Sequence, residues 1–142
     1  MYYLDNTPNH LNIGKKGVFK IDTLFNDKSP IYLQIIDYIK MDIVTGKLKG
    51  NDKLPSVREM SATLKVNPNT LQRAYQELER LAIVYTQRGM GTFVTEDNSM
   101  VGNLKEEMAK EIIDSFMLRM KSLGFTELQI IKIISKEVKE VK

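Results

Sequence analysis

Between residues 69 and 89 the chain gathers side chains that hydrogen-bond outward but cannot react: Asn69, Thr70, Gln72, Arg73 and Gln76, then Arg88 beside Gly89. The carboxamides of Asn and Gln match the edge of adenine, and Arg is the commonest specific partner of base edges and phosphates. An arginine at a glycine-rich tip brings charge to a narrow groove, and glycine lets backbone approach a phosphate closely. This chemistry is recognition of double-stranded DNA, not bond making. Catalysis has little to stand on. The sequence has one histidine, His10, no cysteine, and no Ser/His/Asp set, phosphate-binding loop or dinucleotide fingerprint. No cofactor is expected, and no metal site, since cysteine ligands are absent and a histidine cluster is effectively excluded.

Two helices and a hairpin must position these groups. Leu71, Ala74 or Tyr75, Leu78 and Leu81 recur at helical spacing behind the polar set. Asn67 is a good N-cap and Pro68 suits the first helical position. Upstream, Ser56 followed three residues later by Glu59 predicts a capping box. The helix it opens turns Val57, Met60 and Leu64 inward, and Pro55 keeps residue 54 extended. Lys65-Val66-Asn67 is a turn short enough to hold the two helices at a fixed angle. Downstream, Ile83 to Gln87 and Thr92 to Val94 are rich in β-formers and flank Arg88-Gly89-Met90-Gly91, a hairpin signal. Helix, turn, helix, hairpin is the order of a winged helix-turn-helix, whose second helix enters the major groove. Tyr75, Tyr85 and Phe93 fit the core and wing better than they fit stacking platforms for single strands.

The segments LPSVREM, VNPNTLQRAYQELER and QRGMGTFV resemble the GntR family of bacterial transcriptional regulators, most closely its short YtrA-type branch. The resemblance takes in Phe19-Lys20-Ile21-Asp22 and Ser29-Pro30-Ile31-Tyr32-Leu33-Gln34-Ile35, and so spans residues 18 to 95. It implies that Arg58, which matches the arginine of the family's Pro-Ser-x-Arg run, contacts DNA. It also implies that Arg88 and Gly89 touch the minor groove or the backbone. Many members carry Ser-Arg at the turn into the recognition helix, where this chain has Asn67-Pro68-Asn69. That departure removes one expected arginine and shifts the reading to Asn69, Thr70 and Gln72, with Asn67 at the edge of the DNA-facing set. For Arg73 the alternative to a DNA contact is an ion pair with Glu77 at i+4. The resemblance further implies a repressor of its own operon.

The remainder of the chain is scaffold. Residues 1–17 lack periodicity and are expected to form a flexible N-terminal arm, with a short strand at Val18 to Ile21. Pro30 to Thr45 reads as a helix capped by Ser29, with Ile31, Ile35, Ile39 and Ile43 on its inner face and Gly46 as its stop. Lys49 and Lys53, in the loop that follows, are either phosphate partners or solvated surface. Residues 96–103 read as a polar linker. Leu104, Met108, Ile112, Phe116, Met120 and Leu123 then line one side of a helix ended by Gly124. Thr126 and Gln129 predict a capping box for a last helix with Leu128, Ile131, Ile134, Val138 and Val141 along its stripe, widened by Ile130 and Ile133. Two helices bury too little to be stable by themselves, so residues 104–142 are expected to pair two copies of the chain. Such a dimer reads a palindrome with half-sites about one helical turn apart.

Composition agrees. The 142 residues are 42% hydrophobic and 27% charged, ordinary for a globular protein. The net charge of +3 says little, but residues 1–95 carry 13 Lys+Arg against 9 Asp+Glu, and residues 96–142 carry 8 against 9. The positive excess lies with the expected DNA-binding module. No apolar run approaches 18 residues and the first residues are polar, so no membrane partner is expected and the cytoplasm is the expected location. The tail is too short for a closed small-molecule cavity within one subunit, which leaves any effector, small molecule or protein, unidentified and at the dimer interface. The expectation is a mostly α fold with a small β wing: an N-terminal winged helix-turn-helix over 18–95 and a C-terminal two-helix dimerisation hairpin. Its expected function is that of a homodimeric repressor. The competing reading is an interaction module, or a non-specific DNA binder, whose tail docks a partner.

Overall fold

The computed structural model describes residues 25–141; the expected arm and the strand at 18–21 lie outside the described residues. The elements run α1 (Ile31–Val44), α2 (Val57–Leu64), α3 (Pro68–Arg80), β1 (Val84–Gln87), β2 (Gly91–Val94), α4 (Asn98–Ser122) and α5 (Glu127–Glu140). Two compact units meet within α4, the first ending at Leu104 and the second beginning at Lys105.

In the first unit α3 packs on α1, α2 and β1. Ile35, Ile36, Ile39 and Ile43 of α1 are buried with Met60 and Leu64 of α2, and with Leu71, Ala74, Tyr75 and Leu78 of α3. Both alternatives for the α3 stripe, Ala74 and Tyr75, therefore face inward. One expectation at α1 is corrected. Pro30 is the N-cap rather than the first helical residue, and no side chain caps the helix. Ser29 instead offers its carbonyl to Gln34 Nε2 at 2.7 Å, and Gln34 also bonds both the N–H and the C=O of Asn26. The buried Gln34 amide clasps the loop ahead of α1, so Ser29 has a backbone role and its hydroxyl does not cap.

Four helices end alike. Each closes through a left-handed residue: Gly46 (φ +79), Ala82 (φ +58) and Gly124 (φ +92) just beyond the last helical turn, and at α2 the cap itself, Lys65 (φ +52). After α2, α3 and α4 the next amide then bonds the carbonyl five residues back: Val66 to Ser61, Ile83 to Leu78 and Phe125 to Met120. This closure satisfies carbonyls that the helix leaves free. At the α2 end it makes the three-residue turn rigid.

β1 and β2 pair antiparallel, Val84 with Val94 through Gln87 with Gly91. The strand formers of the sequence thus pair as expected, with Ile83 left as a buried lead-in. A rung that the sequence did not signal lies on the other side of β2. Lys53 bridges Phe93, Leu54 N–H donates to Thr92 O at 2.8 Å, and Val94 N–H donates to Asp52 O at 2.9 Å.

α4 starts at Asn98, inside the stretch read as a linker. The reason is Asp97. Its Oδ1 accepts from Ser99 N–H at 2.9 Å, from Ser99 Oγ at 2.6 Å and from Met100 N–H at 3.2 Å, which caps the helix. In the second unit, α5 opens with the complete capping box expected at Thr126 and Gln129. Ile130 is buried, while Ile112, Ile113, Phe116, Leu128, Ile131, Ile134 and Val138 stand exposed.

Candidate nucleic-acid interface

The helix that carries the polar set is held at both ends. Asn67 Oδ1 accepts from Asn69 N–H at 2.8 Å, with Pro68 in the first turn. The Asn67 carboxamide oxygen therefore belongs to the cap, and only its NH2 group faces outward. At α2, Ser56 Oγ accepts from Glu59 N–H at 3.1 Å, so only the Ser56 half of the expected capping box forms. α3 is fixed against α2 by Tyr75, whose hydroxyl donates to the Pro55 carbonyl and lies 3.0 Å from Met60 Sδ.

With the buried stripe of α3 turned to α1 and α2, the opposite face is left to solvent. Asn69, Gln72, Arg73 and Gln76 are exposed, Thr70 half so. Among the described residues the side chains of Asn69, Thr70, Gln72 and Gln76 make no hydrogen bond. Their donors and acceptors are free for base edges. Arg58 is exposed at the start of α2, and its guanidinium has no partner among the described residues.

Arg73 does not pair with Glu77. Glu77 is taken by Arg80, whose Nε donates to the two carboxylate oxygens at 3.1 and 3.0 Å. Those bonds hold the Glu77 carboxyl below its usual range, and the nearby cations Lys40 and Arg73 add to the effect. The Arg73 guanidinium instead lies over the Tyr32 ring of α1, 3.8 Å from its centroid. The i+4 spacing pointed to the nearer partner on the same helix. The ring comes from another element and leaves no local trace.

The wing carries its cation outward. Met90 N–H donates to Gln87 O at 2.9 Å, closing a turn with Arg88 and Gly89 at its centre, both exposed, and Gly89 at φ +79. Below the tip, Tyr85 and Phe93 stack across the strands at 5.7 Å, and Tyr85 Oη donates to Asn51 Oδ1 at 2.6 Å. These aromatics brace the wing. The sequence leaves Lys53 open between phosphate partner and solvated surface; the structure bridges it to Phe93 at the edge of the wing, where its side chain crosses Gly91, with Cε 2.7 Å from where a Cβ would stand. Arg88 at the tip and Lys53 alongside β2 thus give the wing two cations.

Residues 31–94 match the family described as bacterial regulatory proteins, gntR family. The chain is 47% identical over 112 residues to the HTH-type transcriptional regulator YhcF of Bacillus subtilis (strain 168), covering 79% of this chain and 93% of that one. It is 42% identical over 93 residues to the HTH-type transcriptional repressor YtrA of the same organism, covering 61% and 72%. A solved GntR family transcriptional regulator from Listeria monocytogenes superposes with a TM-score of 0.73 at 46% identity, over 79% of this chain and 98% of that one. These relatives are regulators of transcription and not enzymes. Among the described residues no helix is long and apolar enough to cross a membrane. A winged helix-turn-helix with an unoccupied row of amides, together with these matches, makes this chain a DNA-binding transcriptional regulator of the GntR family, similar to its YtrA-type members.

Proposed function

We propose that the chain is a homodimeric, sequence-specific repressor that acts in the cytoplasm on a palindromic operator. The observation that carries this reading is the row of exposed side chains on α3, Asn69, Gln72 and Gln76, whose hydrogen-bonding groups have no partner among the described residues. α3 reads the major groove with these groups, and with Thr70. Arg58 and Arg73 engage the duplex beside it, and Arg88 with Gly89 grips the flank from the wing.

Dimerisation rests on the second unit. Ile112, Ile131 and Val138 are each more than half exposed, at 67%, 58% and 63%. A contiguous apolar face of this kind marks an interaction surface. Met108, Phe116, Met120, Leu128 and Ile134 complete the proposed seam; Leu104, expected to begin that stripe, is instead buried at the end of the first unit and is not available to a partner. A two-fold pair would set the half-site spacing. The repressor sign is supported by the likeness to YtrA, a transcriptional repressor. Any effector, small molecule or protein, would act at that pairing surface.

Selection of bound duplexes from a random pool at near-physiological salt tests the reading. Enrichment of a palindrome is expected, with affinity well above that for random duplex. Weak, salt-sensitive binding without a motif would overturn it and favour an interaction module.

A further inference from the structure

Arg73 differs from the other polar residues of α3 in being held. A guanidinium carries its five N–H donors in the plane and none on its faces. Stacking on Tyr32 at 3.8 Å occupies one face and leaves every edge donor available. The carboxylate that would have taken those donors, Glu77, is bonded to Arg80. Tyr32 is itself half-buried on α1, whose Ile35, Ile36 and Ile39 are buried in the core that α1 shares with α3. The ring is therefore fixed relative to α3, and it removes part of the freedom that the long arginine chain would otherwise lose on binding.

The stack, and not the helical position, says what Arg73 meets. At about 100° per residue Arg73 lies about 40° from Asn69 and about 60° from Gln76, on the same exposed face, and the contact with Tyr32 draws its guanidinium away from that row toward α1. A guanidinium drawn to the side of a groove-seated helix is placed for the sugar-phosphate strand, which takes half or more of the hydrogen bonds in such complexes. We propose that Tyr32 is a positioning residue for DNA binding, holding Arg73 with its guanidinium edge toward the phosphate backbone. The inference rests on the proposed reading of α3 as the DNA-facing helix.

The test measures affinity for one random-sequence duplex across a salt series, with the unfolding midpoint of each variant alongside. Arg73→Ala is expected to weaken binding and to reduce the salt slope by about one. Tyr32→Leu is expected to weaken binding about threefold, the size of an exposed cation–π contact, and Tyr32→Phe to bind as the parent does. In the Arg73→Ala background, Tyr32→Leu should have no further effect, which a merely structural role for the ring would not produce. Unchanged binding and slope for Arg73→Ala would sink the placement of Arg73 on DNA. Weakening by Arg73→Ala with none by Tyr32→Leu, or an equal Tyr32→Leu effect in both backgrounds, would overturn the positioning role alone. Arg73→Lys provides a route that leaves the ring intact: it keeps the charge without the planar stack. Weaker binding at unchanged slope is expected, and parental affinity would count against the proposal.

Discussion

The Tyr75 hydroxyl on α3 donates to the Pro55 carbonyl ahead of α2, at 2.6 Å, tying the two helices of the reading head together. Burial pushes the phenol's pKa up, and the charge on Glu59 pushes in the same direction, so the group remains a donor well into alkaline solution. Tyr75→Phe keeps the ring and strands the carbonyl. A loss of about 1–2 kcal/mol in urea unfolding is expected. DNA affinity at a temperature where the variant is fully folded should be nearly unchanged, because no outward group is touched.

Gly91 sits at φ +127, a region that side chains rarely adopt, with Lys53 lying across it. Gly91→Ala is expected to cost about 1–3 kcal/mol, since the backbone there is strained for any L side chain. The Lys53 stem is flexible and can swing aside, so adding Lys53→Ala should restore little. Gly89→Ala, at φ +79 with open space around it, should cost about 1–2 kcal/mol. Thermal unfolding of the three variants checks the order.

Hydrogen bonds from the Ser99 hydroxyl, foremost, and from the Met100 and Ser99 amides hold the Asp97 carboxyl below its ordinary 3.8. A lowered pKa means that the folded state favours the ionised form. The cap's contribution is therefore present above pH 3.8 and fades as the pH falls through the folded value. The Ser99 and Met100 amide resonances should titrate together with a midpoint under 3.8. Asp97→Asn should abolish that titration while keeping α4 capped.

Ile134 is 40% exposed beside Ile131 and Val138 on α5. If two copies pair through this face, Ile134→Glu buries a charge in the seam and shifts the chain toward monomer. Sedimentation velocity at micromolar concentration should show the parent as a dimer and the variant as a lighter species. A monomeric parent would contradict the proposed pairing.

Gln72 projects from the exposed face of α3 with no hydrogen-bond partner among the described residues. Replacement with Ala should relax base preference at one symmetric pair of operator positions, by about 1–3 kcal/mol, and leave the others alone. Repeating the selection with the variant reads this directly.

What was legible in the sequence is what is local. Asn67-Pro68 announces the start of α3, its periodic Leu residues give its buried face, and two glycines mark the wing. The polar run Thr95 to Ser99 reads as a linker because Asp, Asn and Ser suit linkers and helix caps equally, and the apolar stripe that would break the tie begins later, at Leu104. Asn51-Asp52-Lys53 is a poor strand former, and its bridge to Phe93 exists only because the hairpin is already there to receive it. For Arg73 the i+4 spacing offers Glu77 as a rival partner because it sees only one helix, whereas the ring on which it stacks belongs to α1.

Two of the four helix closures are made without glycine. Lys65 and Ala82, at φ +52 and +58, bracket the reading head on either side of α3. A left-handed L residue is disfavoured by roughly 1–2 kcal/mol. The protein therefore carries backbone tension at both ends of the helix expected to enter the groove, and with it unused capacity for hardening. Lys65→Gly and Ala82→Gly would relax those bends while leaving the outward amides of α3 as they are, so resistance to heat could be raised in this reader without rewriting what it reads.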